Sequence, residues 1–222
     1  MLGLDDRIAA LSHGYGFAVV IAVAVLLGLR HATDPDHLTA VSTLMASDKG
    51  GNPRRAGLLG GVWGLGHATS LIVFGVPIVL FRSYLPEVVQ EGAELVVGLV
   101  IVALAVRLLV RTRRPAHRHV LVRSPLQAFG IGLVHGTGGS AGIGVLLLAA
   151  IPGRAEALIA LAVFAAFTAL SMTLVSTAFG YALSREAVVR RFSVLVPAMG
   201  AFSLAFGLWY ALGAVNAVPY VF

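Results

Sequence analysis

The sequence predicts an all-α, polytopic membrane protein with six transmembrane helices, on three grounds. Of the 222 residues, 58% are hydrophobic, and only 16 are basic and 10 acidic. The mean hydropathy of +0.92 is above what a water-facing surface tolerates. Apolar runs able to cross a hydrocarbon core of about 30 Å, roughly 20 helical residues, occur near 15–33, 56–81, 91–110, 126–150, 155–182 and 194–214. The chain 1–222 reads as a single transmembrane domain with no separate soluble part.

The first run follows "MLGLDDRIAALSHGYG", which is acidic and lacks the basic start and small-residue cleavage site of a signal peptide, so this run is expected to be retained. The connections "SDKGGNPRR", "RSYLPEVVQEG", "RTRRPAHRHVLVRS", "IPGRAE" and "SREAVVRR" are rich in charge, Pro or Gly, as surface turns are. The first, third and fifth share one side of the membrane. They hold Lys49, Arg54 and Arg55, then Arg107, Arg111, Arg113, Arg114, Arg118 and Arg123, then Arg185, Arg190 and Arg191. The opposite side has Arg7, Arg82 and Arg154, together with Asp5, Asp6, Glu87, Glu91, Glu94 and Glu156. That asymmetry places the basic loops in the cytoplasm and both termini outside a plasma or inner membrane. The positive charge is accounted for by topology, and no interleaving of basic and aromatic residues points to nucleic acid.

The first span carries the chemistry, in "LRHATDPDHLTAV" (29–41). At about 100° per residue, His31, Asp34 and His37 share a sector of about 120°, while Asp36 points away from it on a regular helix. Pro35 cannot donate to the carbonyl of His31 and crowds it, so the helix should break here, free that oxygen and let Asp36 turn inward. Two imidazoles, two carboxylates and a carbonyl in seven residues make an N/O donor set suited to nickel, cobalt or zinc. The competing reading is a helix that ends at the cytoplasmic surface in solvated charge. Arg30 and Asp34, spaced i, i+4, read as a structural ion pair.

The second span, "GLLGGVWGLGHATS", repeats glycine at four-residue spacing (Gly57 and Gly61, Gly60 and Gly64), which lets a neighbouring helix approach closely. His67 and Ser70 share a face just beyond. The fourth, "GIGLVHGTGGSAGIG", has too many glycines for a tight continuous helix and places His135, Thr137 and Ser140 at the break. In the fifth, the hydroxyls of "TALSMTLVST" either bond back to their own helix or line a pathway, and Met172 reads as packing. His117 and His119 lie in the most basic loop, where repulsion disfavours cation capture, and His13 is interfacial. With no cysteine in the chain, thiolate sites and disulfides are excluded. No phosphate-cradling GxxxxGK[ST] loop is present.

The halves 15–110 and 126–214 resemble each other. "GLRHAT" at 28–33 matches "GLVHGT" at 132–137, and "FG" at 74–75 matches "FG" at 179–180. A three-helix unit has odd parity, so two copies would form a 3+3 inverted repeat with a substrate site between them.

His31, Asp36 and His37 form the pattern HxxxxDH, followed by "LGHATS" with His67. This resembles the nickel/cobalt transporter family, NiCoT, within the wider NicO group. The six-span length and "GLVHGTGGSAG" look most like its UreH-type nickel permeases. The resemblance implies metal recognition by His31, Asp36 and His37 and an accessory role for His67. It also implies a transported divalent ion, Ni²⁺ or Co²⁺, as substrate, with no tightly bound cofactor and no enzymatic activity. Where second-half motifs of that family carry aspartates, this chain has Ser176 and Phe179.

The full candidate site is therefore His31, Asp34, Asp36, His37, His67 and His135 in a secondary permease, with uptake favoured because the histidine-rich loop of efflux members is missing. Its partners are the ion and the lipid bilayer, and the sequence leaves the oligomeric state open. An intramembrane His-ligated metalloenzyme, an exporter of another small ion and a bis-histidine haem protein are the rival classes. Replacing His31 or His37 with Ala should abolish metal accumulation without loss of protein from the membrane, while His117→Ala should change little; immunoblotting and metal analysis of cells expressing each variant check this.

Overall fold

The computed structural model describes residues 16–45, 52–81, 86–113, 124–138 and 151–219, and among these there are helices and short turns but no strand. In chain order they form α1 (Gly16–His31), α2 (Pro35–Met45), α3 (Pro53–Phe81), α4 (Glu87–Arg113), α5 (Pro125–His135), α6 (Arg154–Ser184), the short α7 (Glu186–Arg190) and α8 (Phe192–Ala214). Pro35, Pro53 and Pro125 each open a helix, at the position where a missing N–H costs nothing. Asn52 and Ser124 cap two of these starts, accepting from the backbone N–H of Arg55 at 3.2 Å and of Gln127 at 3.3 Å.

α3, α4, α6 and α8 are each long and apolar enough to cross a bilayer. α1 and α2, bent by 44° at the break between them, make a fifth span when counted as one. The protein is a multi-pass helical membrane protein. Of the span expected over 126–150, α5 ends at His135 and the description ends at 138. The remainder, with Ser140, lies outside the described residues, as do His13, His117 and His119.

The first span differs from expectation in two respects. It was expected to end near residue 33, but helix resumes at Pro35 and runs to Met45, which puts the polar cluster at an internal break rather than at a terminus. The cause is Pro35, which ends one hydrogen-bonded ladder and nucleates the next. The carbonyl of His31, expected to be free, accepts instead from the N–H of Asp34 at 3.1 Å.

Glycines set the helix packing. Gly57 lies on Thr177, Gly61 on Thr173 and Gly64 on Ala169, so numbers fall along α6 as they rise along α3 and the two helices are antiparallel. On opposite sides of this pair, Gly28 of α1 seats on the Phe164 and Thr168 backbone of α6, and Gly132 of α5 seats on the Trp63 and His67 backbone of α3. Hydroxyls tie the same contacts: Ser171 donates to the carbonyl of Gly28 at 2.9 Å and Ser70 to that of Leu133 at 2.6 Å. Thr173 and Thr177 bond back to their own helix. α4 packs on α8, where Gly98 meets Ala211 and Gly207 meets Ile101, and α2 is enclosed by α4, α6 and α8.

The outer surface is apolar, with Leu26, Leu58, Leu65, Val73 and Phe81 exposed, while four histidines and Asp36 are buried. This is the arrangement a lipid solvent selects. A Cβ on Gly64 would lie 2.8 Å from the Cα of Ala169, so Gly64→Val should destabilise the bundle by about 1–3 kcal/mol. Gly130→Ala, which meets nothing within 4 Å, should not; thermal unfolding of the purified variants in detergent distinguishes them.

Candidate metal centre

The break in the first span sets the site. His31 is the last residue of α1, the turn Ala32–Asp34 follows, and Asp36 and His37 lie in the first turn of α2. A regular helix would hold Asp36 on the far side, whereas here both Asp36 and His37 are directed into the bundle, 3% and 0% exposed. α3 brings in His67, also fully buried, and α5 contributes its last residue, His135, at 0%. The solvated helix end is not what the fold builds.

The rings touch. His31 Nε2 is 2.8 Å from His67 Nε2. The ring of His37 lies 4.4 Å from that of His31, 4.9 Å from that of His67 and 4.5 Å from that of His135, centre to centre. Asp36 Oδ1 accepts from His37 Nδ1 at 3.1 Å, and Asp36 Oδ2 lies 3.3 Å from His135 Nε2 without completing a hydrogen bond. Two sets of three donors result, each with its ligand atoms within 4.8 Å of one another: His31, His37 and His67, and Asp36, His37 and His135.

Asp34 stands apart from both sets. Its Oδ2 is 3.4 Å from His31 Nδ1 and its Oδ1 is 3.3 Å from Arg30, whose side chain is largely exposed. The ion pair read from the i, i+4 spacing is thus present. By engaging Nδ1 of His31, Asp34 leaves Nε2 facing His67, the carboxylate–histidine support typical of metal ligands.

Asp36 Oδ2, His37 Nε2, His67 Nδ1 and both ring nitrogens of His135 complete no hydrogen bond among the described residues. A buried polar atom left so costs about 1–3 kcal/mol, and a cation accepting a lone pair from each of these four side chains relieves part of that cost. Imidazole nitrogens with one carboxylate and no thiolate suit borderline first-row divalent ions.

Two walls of the site were not read from the sequence. Trp63, 1% exposed, packs against the rings of His37 and His135, and Phe164 packs against His31. Trp63 precedes His67 by four residues and so shares its helix face, a signal the pattern "WGLGH" carried. Ser176 and Thr168 are fully buried with hydroxyls that find no partner among the described residues, and Met172 packs in the core.

Residues 17–118 match the family model NicO, described as high-affinity nickel-transport protein. The urease accessory protein UreH of Bacillus sp. (strain TB-90) is 28% identical, over 86% of this chain and 90% of that protein. The hydrogenase nickel incorporation protein HupN of Bradyrhizobium diazoefficiens is 32% identical, over 72% of this chain and 53% of that protein. The cobalt transport protein NhlF of Rhodococcus rhodochrous is 32% identical over 96 residues, 42% of this chain and 26% of that protein. No solved structure matches the chain. The family resemblance carried by HxxxxDH is borne out, and the family is one of nickel-transport proteins, not enzymes. Because Asp34 touches His31 from behind, Asp34→Asn should weaken divalent-ion binding roughly ten- to a hundredfold while leaving the fold intact; calorimetric titration with Ni²⁺ measures it.

Proposed function

We propose that this chain, a NicO-family protein over residues 17–118, is a secondary transporter that carries Ni²⁺, with Co²⁺ as second cargo, across the cytoplasmic membrane into the cell. His31, Asp36, His37, His67 and His135 bind the ion, and Asp34 orients His31. The observation that carries this reading is the convergence of four buried imidazoles and one carboxylate from α1, α2, α3 and α5 into two donor sets that share His37.

The chemistry follows from the donors. Neutral imidazole binds Ni²⁺ and Co²⁺ well enough to replace part of their hydration shell, and protons compete for the same nitrogens, so binding stays reversible. An interior-negative potential favours entry of a divalent cation by about 4.6 kcal/mol per 100 mV, twice the single-charge figure. The excess of Lys and Arg in the first, third and fifth connections supports a topology with these loops in the cytoplasm and both termini outside.

The site lies between two halves that we read as a 3+3 inverted repeat of six spans. What supports this is an exchange that preserves the four most extensive helix contacts: α1 with α5, α3 with α6, α4 with α8. α1 packs on α6 as α5 packs on α3, while α3 on α6 and α4 on α8 map onto themselves. His31 and His135, matched by the sequence repeat, each end a helix, and Gly28 and Gly132, matched likewise, each seat on the backbone of the exchanged partner. An in-plane two-fold of this kind places a substrate at the repeat interface.

Vesicles containing the protein should accumulate radioactive nickel under an inside-negative potential, with Co²⁺ competing and Mg²⁺ not. Uptake no greater than in protein-free vesicles would sink the proposal, and nickel loss from preloaded vesicles without uptake would reverse its direction.

A further inference from the structure

The centre is more finely divided than a single ring of ligands. His37 belongs to both donor sets, His31 and His67 to one, Asp36 and His135 to the other. The rings of His67 and His135 lie 6.2 Å apart, farther than either lies from His37. The two sets also rest on different walls. His31 packs on Phe164 of α6, whereas His37 and His135 pack on Trp63 of α3. Extending the antiparallel register of Gly57 with Thr177 and Gly64 with Ala169, Phe164 falls level with Thr69 and Ser70 of α3. That is six to seven positions beyond Trp63, about 9 Å along the helix axis. The two walls are thus separated along the axis, while Gly136, next to His135, seats on His67 and Ser70 of α3, so the two sets overlap in depth between them.

We propose that the centre is two overlapping ion positions, His31–His37–His67 toward Phe164 and Asp36–His37–His135 toward Trp63, and that the ion passes from one to the other while His37 stays bound. The inference rests on the transport reading above. A shared ligand gives the ion a route that never strips it of all coordination, which would be prohibitive in a low-dielectric interior. Two divalent ions on one imidazole would repel strongly, so one ion is held at a time. The positions differ in charge: the first is all imidazole, the second adds a carboxylate. An ion moving from the first position to the second therefore exchanges two imidazoles for an imidazole and a carboxylate while keeping His37.

The test uses the full-length protein in detergent with Co²⁺ as spectroscopic probe, and proteoliposomes for Ni²⁺ uptake. His67→Ala and His135→Ala should each still bind one Co²⁺ per chain, with Kd raised roughly tenfold, and each should lose uptake. The Co²⁺ spectrum should report carboxylate ligation in His67→Ala and nitrogen-only protein ligation in His135→Ala. His37→Ala and the double variant His67→Ala/His135→Ala should bind none. His67→Gln and His135→Asn replace any alanine variant that fails to elute as the wild type does. If either single variant binds no better than His37→Ala, or transports at the wild-type rate, the two-position scheme is overturned while the transport reading stands. A wild-type protein that neither binds nor accumulates the ion overturns both.

Discussion

Four imidazoles and a carboxylate held together out of water, inside a bundle whose exterior is hydrocarbon-like, form the constraint on which the rest of the structure depends. Ionisable groups at membrane depth persist where they face the interior and one another, because lipid offers them nothing. Asp36 lies against the rings of both His37 and His135. The buried surfaces around the cluster are close-packed, with Trp63, Phe164 and Met172 all nearly inaccessible.

Satisfying that constraint takes backbone as well as side chains. A straight helix from 16 to 45 would carry His31 and His37 on one face and Asp36 on another. The turn at Ala32–Asp34 removes the conflict by interrupting the helical hydrogen-bond ladder, and Thr33 and Asp34 bond instead to the carbonyls of Arg30 and His31. Glycine does the corresponding work on α3. His67 reaches the centre only because Gly64 and Gly66 let α6 and α5 lie almost backbone to backbone with α3, and Gly132 gives α5 the same freedom. The hydroxyls that cross between helices, Ser70 and Ser171, then hold those contacts in register.

The charge of the centre has its own consequence. Asp34 is engaged with Arg30 and with His31, so among the described residues Asp36 is the carboxylate shared by His37 and His135. A divalent ion bound here keeps a net positive charge. That weakens its hold relative to a site with two or three carboxylates, which suits a protein that must release what it binds.

The helical class, the apolar character of the membrane-crossing helices and the break in the first span were legible because they rest on local rules: hydropathy over a window of about 20 residues, the inability of proline to continue a helix, and glycine spacing. Gly57, Gly60, Gly61 and Gly64 do form the close helix contact their spacing implied, and Pro35 does break the span. What no local rule supplies is which distant residues meet. His31 and His67 are 36 positions apart and touch at 2.8 Å, and His135 arrives from a helix whose own sequence holds no carboxylate. The sequence likewise groups Asp34 and Asp36 together as candidate donors, and cannot tell the one that faces the other histidines from the one that stays behind His31. The bend of 44° and the packing of α3 against α5 decide it, sending Asp36 into the cluster and leaving Asp34 behind His31, because those orientations depend on interdigitation between helices and not on the order of residues along one of them.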